Sequence, residues 1–133
     1  MANEIDCTFE VTDWQEQVTR EDPSGRKLTS AKVAYSYAGG LTGTGKADYL
    51  MTYTGEGTAV FVGREWVEGE IAGKKGGCAV EQSGTFDGGV ARSRWTVIEG
   101  TGIGDWAGIR GGGEYAATDR TVSLPLKLIL PSD

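Results

Sequence analysis

"KADYLMTYTGEGTAVFVGREWVEGE", residues 46–70, is the stretch from which the fold is read. Two runs flank the turn sequence Thr54-Gly55-Glu56-Gly57. In the first run Ala47, Tyr49, Met51 and Tyr53 share one side. In the second, Phe61, Gly63, Glu65 and Val67 share a side, because Arg64 and Glu68 prefer water. A period of two belongs to a strand, whose successive side chains point to opposite faces. Two such runs joined by a short glycine turn make an antiparallel hairpin.

The same alternation continues in both directions, and helical periodicity is nearly absent. Eight strands are expected, at residues 4–16, 28–38, 43–54, 58–71, 77–86, 90–99, 107–117 and 121–130. "EDPSGRK", "AGG", "TGEG", "AGKKGG", "FDGG", "GTGIGD" and "ATDR" supply the turns. Short connections pair neighbouring strands. An all-β, eight-stranded antiparallel up-and-down barrel follows, which leaves no exposed edge; a β-sandwich is the alternative. At 133 residues, with 38% apolar and 24% charged, the chain fits one soluble domain with its own core.

Two glycine motifs invite a nucleotide reading and fail it. Gly40–Lys46 spells G-x-x-x-x-G-K, but Ala47 stands where a P-loop needs Ser or Thr, and a strand follows instead of a helix. Gly102, Gly104 and Ala107 spell G-x-G-x-x-A, yet "GIRGGGEY" is too rich in glycine to open a helix. Both segments are expected to be barrel turns and corners. A formal net charge of −6 argues against nucleic acid, which calls for a basic field. Lys74–Lys75 reads as a solvated turn. No run approaches the roughly 18 apolar residues of a membrane helix. The start "MANEIDCTFEV" lacks the pattern of a signal peptide, so a cytoplasmic location is expected.

The chain has no histidine, which removes Ser-His-Asp triads, Cys-His dyads and imidazole zinc sites. No metal and no cofactor are expected. Cys7 and Cys78 sit among apolar residues and read as buried thiols. Sorting each strand into faces points Ile5, Cys7, Phe9, Val11, Asp13 and Gln15 inward from the first strand. Val33, Tyr35 and Tyr37 follow from the second, and Cys78, Val80, Gln82 and Phe86 from the fifth. Ser93, Trp95 and Val97 come from the sixth; Val122, Leu124, Leu126, Leu128 and Leu130 from the last, with Pro125 outward. Polar groups on this lining are few, and a buried carboxylate is costly unless paired or protonated. A cavity with one polar end is therefore expected, with Asp13 and Glu65 as acid–base candidates. Gln15 and Gln82 would orient a carbonyl; Tyr35, Tyr49, Met51, Tyr53 and Trp95 would line the space. Trp14 and Trp66 are placed on the outer face beside Val60 and Val62, where they suggest a homo-dimer or trimer contact.

The stretches "TFEVTDWQE", "KADYLMTY" and residues 61–115 resemble a small bacterial family of unknown function (domain of unknown function 3224) with an allene oxide cyclase-like barrel. The resemblance covers most of residues 8–115. It is carried chiefly by G-x-E-x-x-x-G at Gly63–Gly69, "QSGTF", and "GTGIGDWAGIRGGG". More distantly the chain is similar to allene oxide cyclase, whose first strand bears a carboxylate and, two residues on, a carboxamide. Those positions fall on Asp13 and Gln15. The resemblance implies a cofactor-independent cyclase or isomerase that folds an apolar polyene, polyketide-like or fatty-acid-derived molecule inside the barrel. A non-catalytic binding or carrier barrel with the same cavity is the second expectation, and a barrel packed solid the third.

Overall fold

A computed structural model of the chain describes residues 2–131. Nine strands form in chain order: β1 (Ala2–Glu21), β2 (Lys27–Gly39), β3 (Leu41–Gly55), β4 (Thr58–Ile71), β5 (Lys74–Asp87), β6 (Val90–Val97), β7 (Ile103–Gly104), β8 (Arg110–Ala117) and β9 (Val122–Ile129). All pairings are antiparallel, and each long strand hydrogen-bonds to the next in sequence. β9 returns to β1, Val122–Ile129 lying against Ala2–Phe9, and closes a ring of eight. The two-residue β7 sits outside the ring, against Gly76 and Gly77 of β5. The fold is thus all-β, an up-and-down barrel. Among the described residues no helix is long and apolar enough to cross a membrane.

The hairpins are tighter than the sequence suggests. β4 and β5 turn through Ala72 and Gly73 alone, both with positive φ, so β5 resumes at Lys74 and not at residue 77. Gly88 and Gly89 do the same between β5 and β6. A two-residue loop with both φ values positive matches the twist of the flanking strands.

The interior follows the period-two sorting over most of the ring. Cys7, Phe9, Val33, Tyr35, Tyr37, Ala47, Tyr49, Met51, Val67, Val80, Trp95, Val97 and Leu124 are buried, and Pro125 is exposed. One end of the barrel is stoppered by the connection from β6 to β8. Trp106 and Ile109 in that connection are both 1% exposed, and the Trp106 Nε1–H donates to the Lys74 carbonyl at 2.9 Å. The G-x-G-x-x-A segment is therefore a plug. Gly40–Lys46 runs straight into β3.

The other end flares. β1 has 20 residues and β2–β5 have 13 to 15, whereas β6, β8 and β9 have 8 each. β9 accompanies β1 only as far as Phe9. Beyond that point β1 continues against β2 alone, and the ring opens into a mouth.

Candidate functional site

The mouth is rebuilt by one extra residue. Val11 lies opposite Tyr35, and Asp13 lies opposite Ala34, so Thr12 has no partner on β2. Such a bulge inserts one residue and reverses the facing of everything after it. Trp14 then stands opposite the buried Val33, and Glu16 opposite the buried Ala31. Asp13 and Gln15 are turned outward and exposed, their side chains bonded to each other at 3.1 Å. The expected inward placement of Asp13 and Gln15 is thereby overturned, together with the outer-face placement of Trp14. Trp66 keeps the outward face with Val60 and Val62.

Inside the mouth lies a cavity of about 260 Å³. Phe9, Tyr35, Tyr49, Met51, Phe61, Phe86 and Tyr115 form its walls and floor; Trp14, Asp119 and Arg120 stand at its rim. The rings are locked by edge-to-face packing of Phe9 on Tyr35 (5.3 Å) and Tyr115 (4.8 Å), and of Tyr49 on Phe61 (5.5 Å). Polar atoms reach the floor only as hydroxyls. Tyr35 and Tyr49 share one hydrogen bond at 2.6 Å. The Tyr115 hydroxyl donates to Gln82 Oε1 at 2.6 Å. Burial pushes all three hydroxyls well above the usual tyrosine range, so they remain protonated donors.

Beneath that floor runs a sealed polar network. Glu65 is 1% exposed. Its Oε2 accepts from the Tyr37 hydroxyl in a short bond, and its Oε1 accepts from Gln82 Nε2 at 2.6 Å. Trp95 Nε1 donates to the Tyr37 oxygen at 3.2 Å, and Ser93 donates to Gln82 Oε1 at 3.0 Å. Burial pushes the Glu65 carboxyl up to about 7, against the downward pull of the Tyr37 and Gln82 donors. Of the residues expected to line a site, Tyr35, Tyr49 and Met51 do line the cavity. Gln82, Trp95 and Glu65 lie under it. Tyr53 stands apart on the flared sheet.

Glu16 is the carboxylate that sequence reasoning missed. Its Oε2 accepts from Thr29 and Tyr53, each at 2.6 Å, and its Oε1 from Trp14 Nε1 at 3.1 Å. Against the upward pull of partial burial, these three donors hold it below its ordinary value. It fixes the Trp14 indole at the rim. The signal was present: apolar residues run at 5, 7, 9 and 11, then at 14 and 18, and that change of parity marks a bulge. Tyr115 was also missed, because its strand is mostly glycine and gives no alternation to sort. Among the described residues no group of three or more carboxylates or thiols is placed to hold a metal ion.

Comparison with known proteins gives the fold company without a reaction. The chain is similar to the crystal structure of a protein with unknown function from the DUF3224 family of Shewanella oneidensis MR-1. The TM-score is 0.78 at 17% identity, over 99% of this chain and 100% of that one. No curated protein matches the sequence. The family model for the protein of unknown function DUF3224 matches residues 5–128, nearly the whole barrel, and the chain belongs to that family.

Proposed function

We propose that this protein is a small-molecule-binding barrel that holds an apolar ligand in the mouth cavity without transforming it. The observation that carries the reading is the cavity itself, about 260 Å³ walled by aromatic rings and open at one end. A cavity of about 150 Å³ holds one benzene, so this one suits a molecule of roughly twice that bulk. Apolar walls with a few convergent polar groups are the usual make-up of a ligand site.

The cyclase reading draws its acid–base groups from Asp13 and Glu65. Asp13 faces water on the far side of β1. Glu65 is separated from the cavity by Tyr115 and Gln82, and an amide between them does not relay a proton. Tyrosine hydroxyls held protonated donate well and abstract protons poorly. A carrier needs none of these steps. The free buried thiols Cys7 and Cys78, pushed up to about 11 and about 12 by burial, fit a reducing, cytoplasmic setting. Native mass spectrometry of the protein purified from its own cells tests the proposal. A bound apolar molecule, recovered unchanged after long incubation, is the expected result; conversion to a cyclised or isomerised product restores the enzyme reading.

A further inference from the structure

The tyrosine floor has more protons than acceptors. Tyr35 and Tyr49 bring two hydroxyl protons and share one hydrogen bond, which uses one of them. Tyr115 spends its own proton on Gln82. Among the described residues neither Tyr35 nor Tyr49 has a second hydrogen-bond partner, so one O–H of the pair is left to whatever occupies the cavity. A hydroxyl in an apolar cavity that lacks an acceptor loses most of a hydrogen bond, and a ligand oxygen restores it.

The charge around the floor selects the kind of oxygen. No cationic side chain lies inside. Arg120 is at the rim, its side chain 92% exposed, and already faces Glu10 at 3.5 Å. The Glu65 carboxyl stands behind the floor, joined to it through Gln82 and Tyr115. An anion pushed to the floor would shed its water beside that carboxyl and meet only hydroxyl donors. A neutral acceptor meets the same donor without that cost.

Resting on the mouth-cavity reading above, we propose that the ligand is a neutral, apolar molecule with a carbonyl or similar acceptor oxygen. It enters oxygen first, and the oxygen takes the spare proton of the Tyr35–Tyr49 pair. The free carboxylates of fatty acids are disfavoured at the floor. The pair thus acts as the specificity element of the site, and the aromatic wall supplies area without discrimination.

Three probes of one skeleton test this on the full chain: butylbenzene, butyrophenone and 4-phenylbutyrate. Binding is followed through the tryptophan indole NMR signals, since Trp14 lines the rim. Butyrophenone is expected to bind about tenfold more tightly than butylbenzene, the worth of one recovered neutral hydrogen bond. In the Tyr35→Phe/Tyr49→Phe double variant, which keeps both rings and their packing, that ratio should fall to about one. Equal affinity of the two in the wild type overturns the inference and leaves the cavity reading standing. So does a ratio that survives in the double variant. Tightest binding of 4-phenylbutyrate, weakened by Arg120→Ala, overturns it in favour of an anionic ligand held at the rim. Binding of none of the three removes the cavity reading and this inference together.

Discussion

Gly45 and Glu65 define each other. A Cβ at residue 45 would collide with the Glu65 carboxylate and press on the Tyr37 ring, so the absence of a side chain on β3 makes the space that the carboxylate fills. Gly45→Ala is expected to cost about 1–3 kcal/mol, as overpacking does. The penalty should shrink in a Glu65→Ala background, and a double-mutant cycle by urea denaturation reads the coupling. Glu65 also sets a pH dependence. Burial raises its carboxyl from 4.5 to about 7, so between those values the native protein holds a proton that the unfolded chain has released. Stability from this group is complete below pH 4.5 and is lost as pH rises through 7. The difference is roughly 3 kcal/mol at about 1.4 kcal/mol per unit. Wild type should therefore lose roughly that much more stability between pH 5 and pH 8 than Glu65→Gln, which titrates nothing there. A pH profile of equal slope in the two proteins would show that Glu65 stays ionised throughout.

At the scale of the element, the Thr12 bulge in β1 separates what the sequence tells from what it withholds. Where one face is buried and the other wet, alternation leaves no choice of register, and β2 to β6 and β9 were legible for that reason. β1 beyond Val11 is exposed on both faces, so Asp13 and Gln15 had no hydrophobic partner set to reveal that they had turned outward. Glu65 was readable as an inward carboxylate from its own strand alone. Its separation from the cavity was not, because that depends on Gln82 from β5 and Tyr115 from β8, strands that only the closed ring brings together. The bulge makes a clean prediction. Asp13→Ala and Gln15→Ala should change stability by no more than about 0.5 kcal/mol, as exposed substitutions do, and leave butyrophenone binding unaltered. Trp14→Ala, one residue away from each, should weaken that binding by removing a wall of the rim. A large loss of binding in Asp13→Ala would return the carboxylate to the site.

Across the whole molecule, the two ends of the barrel do different work with the same eight strands. At one end the plug fills the lumen with Trp106 and Ile109, and the Trp106 N–H is anchored to the start of β5. At the other the unequal strand lengths prevent closure and leave the cavity. Between them lies the Glu65–Gln82–Tyr37–Trp95 layer, a fully satisfied network that keeps the lumen from being continuous. Such networks are rigid only when every member is paired. The plug should therefore be felt in stability and not in recognition. Trp106→Ala removes a buried indole and leaves the Lys74 carbonyl without its donor, a change expected to cost about 3–5 kcal/mol. Urea denaturation measures that loss, and the probe titration on the still-folded variant measures the other half. The Kd for butyrophenone should match wild type, because the polar layer stands between the plug and the Tyr35–Tyr49 pair. A matched loss of stability and of affinity would instead make the barrel a single mechanical unit, with the plug setting the shape of the mouth from the far end.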